Sequence, residues 1–534
     1  MMKKAIKKLL AALLAVAMVC AMAIPAFAYD TKEDIDKNHC YDAFQIFKGD
    51  VSDDNTKISH VEWGKNIPHP EDFLPKLRAD PTLSSEFANA DSLQKVLDVM
   101  KGWTTSDDNS IAFARFVCNY IYTDAHANST PVKQGGHTGG FELDEAGYYL
   151  IVDTSSFSSS ADGDSYHAYN SFLLKVNKDH YCVQITPKVV KPTVEKEVYD
   201  NDDGSSSGDN NGWGSSADHA INEEFKFRLI AKLPESENNG HAYDYYDKYS
   251  VIFHDTLSDG ITYDRPDSVV IKSNGKTYVI PNDSSKYTIG LESQNYLVVK
   301  IPDVKACAKD AGFDLNDGAT ITVTYTAHLN ENAAVNGSAE NKNSVRLQYS
   351  NNPRPDGEYL GYTPESEVYV YTYQLNNTKL AENEHGAPLK DVGFRLYSDA
   401  DYKNEVELYQ DGEFYYPIKN ATGKEAVEMK SAANGQFNVK GLDAGTYYLK
   451  ETTTPADFTP CSVIPPVTIT ANHNGNHVEL DSSKLSTTII NKKAGGITLP
   501  STGGIGTTLF YVVGGGLMVA AIVLLVTKKR MENK

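Results

Sequence analysis

What most constrains this chain is how it ends. Residues 499–534 open with Leu499-Pro500-Ser501-Thr502-Gly503, continue with an apolar run from about Leu509 to Val526, and close on Lys528, Lys529 and Arg530. The run is about long enough to cross a bilayer as a helix, and the cations behind it would stay on the cytoplasmic side. Everything before it then belongs outside the cell. The other terminus agrees. Met1-Met2-Lys3-Lys4, an apolar core from Leu9 to Ile24 and Ala26-Phe27-Ala28 make a secretory signal peptide over 1–28, with cleavage after Ala28. Cys20 raises a lipoprotein signal as the alternative, but Ala17-Met18-Val19 ahead of it fit one poorly.

A plain membrane anchor needs no Leu-Pro-Ser-Thr-Gly in front of it. Motif, apolar span and basic tail in this order, over 495–534, resemble the sorting signal of Gram-positive surface proteins. The resemblance implies a sortase whose cysteine attacks the Thr502 carbonyl, releases Gly503 and passes the acyl group to an amine. It also implies a secreted protein, held briefly in the membrane and then anchored to peptidoglycan at the cell-wall surface.

At 534 residues the chain has room for several domains. A formal net charge of −21 without a basic stripe argues against a nucleic-acid partner. Tyrosine is abundant, at 33, against three tryptophans, which suits β-rich extracellular modules. Beyond the leader, Cys40, Cys118, Cys182, Cys307 and Cys461 are an odd, widely spaced set with no Cys-x-x-Cys. They make neither a disulfide framework nor a zinc site. A Cys40–Cys182 bridge and free buried thiols both stay open.

The periodicities predict an all-β chain of tandem Ig-like β-sandwiches, the first with a helical insertion, plus a C-terminal transmembrane helix. Tyr41–Asp50 alternates as a strand, whereas Ser92–Trp103 and Ser110–Tyr122 carry helical spacing. Strands at Phe141–Asp153 and within Ser171–Thr186 complete a first domain over 29–190. Pro192 marks a boundary, and Asn201–Gly214 reads as a solvated hairpin loop without a twelve-residue calcium pattern. Strands at Glu224–Lys232, Tyr249–Thr256, Ser268–Ile271, Leu297–Ile301, Ala319–Leu329 and Ser344–Tyr349 come at sandwich spacing in a second domain, 191–368. Asp303–Ala311 reads as a short helix. A third domain, 369–494, holds strands at Tyr371–Thr378, Gly393–Ser398, Gly435–Val439, Thr446–Glu451 and Thr487–Asn491.

Tyr447-Tyr448-Leu449-Lys450-Glu451-Thr452 resembles the E-box of CnaB-type pilin domains, Tyr-x-Leu-x-Glu-Thr. That family pairs the box with a lysine on the first strand and an asparagine on the last; Lys379 and Asn491 fit. The resemblance implies an isopeptide bond in which the lysine amine attacks the asparagine amide and expels ammonia. The chemistry needs a neutral amine, which burial supplies, and a protonated acid to polarise the amide carbonyl. Tyr447, Leu449 and Glu451 share one strand face, so Glu451 points where the core residues point. The second domain resembles the CnaA-type relative, whose acid is an aspartate: Lys196, Asp255 and Asn343 fill the places, with Asn341 as a competitor and His254 expected on the exposed face. The first domain departs from the pattern. Val152 stands where the acid should be and Asp153 falls on the opposite face, so no self-crosslink is expected there.

Val183-Gln184-Ile185-Thr186-Pro187-Lys188 resembles the pilin motif of backbone pilins, with Thr186 in place of the usual tyrosine. It implies Lys188 as the amine that accepts another subunit's acyl group; Lys191 is the alternative. The chain as a whole therefore resembles a sortase-assembled major pilin. It is expected to be a structural subunit and not a turnover enzyme, with no cofactor and no metal site. Its implied partners are sortase, other copies of itself, other pilins and peptidoglycan, with a host surface ligand left open. A non-polymerising wall-anchored adhesin is the alternative.

Overall fold

The computed structural model describes residues 40–53, 57–103, 107–137, 141–154, 173–177, 182–183, 191–200, 212–235, 243, 245–337 and 341–495, with short pieces at 18–19, 517–518, 521–523, 525 and 528. The leader apart from Met18–Val19, the sorting motif Leu499–Gly503, Lys188 and the loop 201–211 lie outside them. Among the described residues no helix is long and apolar enough to cross a membrane; the apolar run at 509–526 falls mostly outside them.

The N-terminal part is built on one main sheet, in which the order runs Lys57–Trp63, Cys40–Val51, Gly147–Asp153, Leu173–Asn177. Every residue of Gly147–Asp153 is buried, because both faces are covered. Tyr148, Leu150 and Val152 pack with helices Pro70–Ala79, Ser84–Phe87, Leu93–Met100 and Asp108–Thr123, while Tyr149 and Ile151 pack with Tyr41 and Leu143. Where a second large sheet was expected, helices cover that face; opposite them the described residues add only the pair Phe141–Glu142 and Cys182–Val183. Helix Pro70–Ala79 escaped the sequence reading because Pro75 lies inside it, although Pro70 starts it and Glu71 and Asp72 sit favourably in its first turn.

The middle part is a sandwich. Phe225, Phe227, Leu229 and Ala231 of strand Glu224–Lys232 are buried in strict alternation. This strand lies between Thr193–Tyr199 and Thr320–Leu329 in a six-stranded sheet. The facing seven-stranded sheet centres on Val251–Leu257, paired with Tyr296–Ile301 and Lys342–Ser350. Ile261–Ser273 is far longer than the predicted Ser268–Ile271. It accommodates Pro266 through register shifts at Tyr263/Arg265 and Pro266/Ser268. Helix Val304–Asp310 is capped by the Asp303 carboxylate, which accepts from Ala306 N–H.

In the C-terminal part, Tyr373–Ala381 runs parallel beside Ser486–Lys493, and Gly393–Tyr397 pairs with Gly445–Thr453 in a second sheet. The junction with the middle part is closely packed. Tyr409 and Tyr416 join the middle part's core cluster. Ile221 N–H donates to Gly441 O at 3.0 Å and Asn222 Nδ2 to Pro417 O at 2.8 Å. The N-terminal part meets the middle one through Asn119 Nδ2 to Asp247 Oδ2 at 2.6 Å and the Arg354 guanidinium 5.1 Å over the Tyr122 ring.

Candidate crosslinking sites

In the C-terminal part, first and last strands stand side by side, with Lys379 opposite Ile489 and Ala381 opposite Asn491. Lys379 Nζ donates to Asn491 Oδ1 at 2.5 Å. Glu451 comes from the facing sheet, opposite Phe394. Its Oε1 accepts from Asn491 Nδ2 at 2.6 Å, and its Oε2 stands 3.6 Å from Lys379 Nζ. The lysine and glutamate side chains are 0% and 1% exposed, so neither charge is shielded by water. Burial lowers the Lys379 pKa, and Glu451 opposes that shift. Two groups the sequence did not flag hold the carboxylate: Thr454 Oγ1 donates to Oε1 at 2.7 Å and Cys461 N–H to Oε2 at 3.2 Å.

One expectation is reversed in detail. The amide nitrogen of Asn491, not its carbonyl, faces Glu451. Turning the amide over exchanges oxygen and nitrogen with little movement elsewhere and would offer the carbonyl to a protonated acid.

The middle part assembles its set across the sandwich. Lys196, opposite Leu229, comes from one sheet; Asp255 and Asn343, opposite Val345 and Leu257, come from the other. Lys196 Nζ hydrogen-bonds Asp255 Oδ1, with both side chains fully buried. Burial pushes the Lys196 amine down to about 8 in spite of Asp255, and pushes Asp255 above the usual carboxylate range in spite of Lys196. Both shifts move the pair toward neutral amine and neutral acid.

Tyr325 is the member that sequence reasoning missed. Its Oη donates to Asp255 Oδ2 at 2.7 Å, accepts from Asn343 Nδ2 at 2.7 Å and lies 3.3 Å from Lys196 Nζ. Asn343 Oδ1 is buried without a hydrogen-bond partner among the described residues, an arrangement that a stable amide would ordinarily avoid. Phe227 and Tyr325 put ring faces 5.1 and 5.5 Å from the ammonium, closing the site in aromatic surface. The competitor Asn341 is engaged elsewhere: both ends of its amide bond Ala334, at 2.8 Å each. His254 does point away from the core, but it is half-buried and not exposed, between Tyr296 Oη at 2.7 Å and Gln348 Oε1 at 2.9 Å.

In the N-terminal part Val152 is buried against the helices. Asp153 lies on the other face, where its backbone oxygen accepts from Asn352 Nδ2 at 3.4 Å. No lysine–acid–asparagine set is formed there among the described residues. Lys191, the alternative acceptor, is described and half-buried.

Two successive sandwiches thus each bury an amine, an acid and an amide together, and three family models match parts of the chain. Residues 234–353 match the Gram-positive pilin backbone subunit 2, Cna-B-like domain; residues 374–484 match the SpaA prealbumin-like fold domain; residues 491–533 match the LPXTG cell wall anchor motif. The middle part thus carries a Gram-positive pilin backbone domain, and the anchor motif makes the chain a cell-wall-anchored surface protein. The match over 234–353 is to a Cna-B-like model, where the aspartate had suggested the CnaA-type relative.

Among curated proteins the chain is similar to serine-aspartate repeat-containing protein C of Staphylococcus aureus strain MW2, 26% identical over 194 residues. That match takes in 35% of this chain and only 18% of the relative's length. Among solved structures it is similar to the T6 backbone pilin of serotype M6 Streptococcus pyogenes, at 15% identity and TM-score 0.47, covering 86% of this chain and 96% of that one. It is also similar to a 35 kDa C-terminal fragment of the major pilin GBS80 of Streptococcus agalactiae, at 23% identity and TM-score 0.39, covering 56% and 99%.

Proposed function

We propose that this chain is the shaft subunit of a covalent surface pilus, a structural unit whose chemistry is single-shot. A signal peptide over 1–28 exports it, and the apolar span near the C-terminus holds it in the membrane until sorting. Sortase then joins the Thr502 carbonyl of one copy to Lys188 of the next, and the last transfer is to peptidoglycan. Within each copy, Lys196–Asn343 and Lys379–Asn491 become isopeptide bonds. In each, the Nζ–Cγ bond forms, the Cγ–Nδ2 bond breaks, and a proton passes from the amine to the departing ammonia. Asp255 or Glu451 carries that proton and polarises the carbonyl.

The observation that carries this reading is the repeat of one buried constellation in two differently built domains. A buried lysine–carboxylate pair costs desolvation and is weak evidence of stability by itself; an asparagine amide beside each pair gives it a use.

The test has two arms. The intact mass of the secreted chain should be short by two ammonia molecules, one per bond, and an unshifted mass would remove the crosslinks. In cells carrying the pilus sortase, Lys188→Ala should collapse the high-mass ladder to monomer while Lys191→Ala leaves it intact. A ladder lost only with Lys191→Ala would move the linkage there; a wild type without a ladder would make the protein a non-polymerising adhesin.

A further inference from the structure

A third buried constellation lies at the junction of the middle and C-terminal parts, away from both crosslinking sets. Asp200 follows strand Thr193–Tyr199, Asp218 ends strand Ser216–Asp218, and His473 comes from the hairpin Ala471–Asn474/His477–Leu480. They are 1%, 0% and 4% exposed, which puts two carboxylates and an imidazole out of reach of bulk water. His473 Nε2 stands 3.6 Å from Asp200 Oδ2 and 3.6 Å from Asp218 Oδ1, and one ligand atom of each residue lies within 4.8 Å of the others.

That spacing is long for a direct hydrogen bond. It is close to the separation of two atoms bound to one ion, which stand about 3–3.6 Å apart when each metal bond is about 2.0–2.2 Å. The surroundings are those that orient metal ligands. His473 Nδ1 meets Ser216 Oγ at 2.9 Å, and that oxygen also accepts from Gly475 N–H at 3.1 Å. Ser216 Oγ can accept the Nδ1 proton in a hydrogen bond, so an ion that displaced the proton from Nε2 would find its lone pair turned toward the two carboxylates. Tyr373 Oη donates to Asp218 Oδ2 at 2.8 Å, and Asp218 N–H to Asp200 Oδ2 at 3.2 Å, so both acids are held in place as well.

We propose that Asp200, Asp218 and His473 bind one divalent transition-metal ion that ties the second domain to the third. Two carboxylates balance a 2+ charge while the imidazole stays neutral, so the buried site closes without net charge. The nitrogen ligand and the low ligand count favour an ion such as Zn2+ or Mn2+ over Ca2+, which takes six to eight oxygens. Because the ligands come from both sides of the junction, the site is complete only when the two domains are docked, and binding stabilises the docked state.

The test uses the full chain, stripped with EDTA, desalted and titrated with Zn2+, Mn2+ or Ca2+ alone. Zn2+ or Mn2+ should be retained at one equivalent by elemental analysis. Either should raise the melting temperature by about 5–10 °C at a hundredfold excess over its Kd; Ca2+ should not. His473→Gln should lose both the metal and the shift. It should still lose ammonia from both crosslinking domains, which separates a lost ligand from a lost fold; if it fails to fold, Asp200→Asn gives the same reading. A wild type that retains less than half an equivalent of either metal overturns the proposal, as does a folded His473→Gln that retains a full one.

Discussion

Tyr325 donates its phenolic hydrogen to Asp255 across 2.7 Å, and the same oxygen holds the Asn343 amide at 2.7 Å. In the C-terminal domain no such intermediary stands among the described residues, and Glu451 takes the Asn491 amide directly at 2.6 Å. Tyr325→Phe keeps the ring and removes the oxygen. The Lys196–Asn343 bond should then form about a hundredfold more slowly, the usual cost of one positioned donor, while Lys379–Asn491 forms normally. Time-resolved intact mass after refolding should show one fast and one slow ammonia loss. Two losses at the wild-type rate would take Tyr325 out of the chemistry.

Asp255→Asn separates two roles of the acid. Asp255 raises the Lys196 pKa, and burial lowers it. Removing the carboxylate therefore leaves the amine more neutral, not less. If the acid serves as proton carrier, the bond should still fail, and the mass should stay one ammonia above wild type. A bond that forms in Asp255→Asn would mean that a neutral amine alone is enough. Glu451→Ala should fail likewise in the other domain and melt earlier. In the chain-entropy account, a loop with the 112-residue separation of Lys379 and Asn491 is worth on the order of 4–5 kcal/mol.

The depressed Lys196 pKa also predicts a pH dependence once the crosslink is blocked. In Asn343→Ala the folded lysine titrates near 8 and the unfolded one near 10.5. Between those values the unfolded chain binds more protons, so this group's contribution to stability rises with pH across that window and is flat below it. The full change is on the order of 3 kcal/mol. Comparing Asn343→Ala with Asn343→Ala/Lys196→Met by denaturant titration at pH 7.5 and pH 10 isolates it from the tyrosines. A difference that does not move with pH would refute the shift.

Gly441 sits at φ +88°, and a Cβ there would lie 2.4 Å from Ile221 Cδ1 of the neighbouring domain. Gly441→Ala should strain the backbone and push the two domains apart, at about 1–3 kcal/mol. Both crosslinks lie inside their own domains and should survive by mass. Limited proteolysis should cut faster near Thr372 at the entry to the third domain, where its Oγ1 bonds Leu442 O next to Gly441 at 3.0 Å. An unchanged cleavage rate would show that the joint absorbs the methyl.

The readable parts of this chain were those in which chemistry imposes spacing. Tyr447, Leu449 and Glu451 alternate on one strand, and their lysine and asparagine sit on the domain's first and last strands. Tyr325 was hidden because an inward tyrosine in the alternating run Thr320–Leu329 looks like any other core residue. His473 and Ser216 meet across 257 positions, and no local pattern announces a contact of that kind. The helical covering of the N-terminal sheet was half legible: Leu93–Met100 and Asp108–Thr123 carry clean spacing, whereas Pro75 disguises Pro70–Ala79.

The parallel pairing of Tyr373–Ala381 with Ser486–Lys493 bears on how the third domain answers to tension. The chain enters at the start of one strand and leaves at the end of the other, so a pull on the two ends of the domain shears the pair. Hydrogen bonds in shear are loaded together, whereas an unzipped pair gives way one bond at a time. With Lys379 joined to Asn491, the load would cross after the first strand and bypass the stretch between, a separation of 112 positions. That stretch would be mechanically silent. Insertions into its hairpins would alter what the domain displays to its surroundings without altering how far it extends under load.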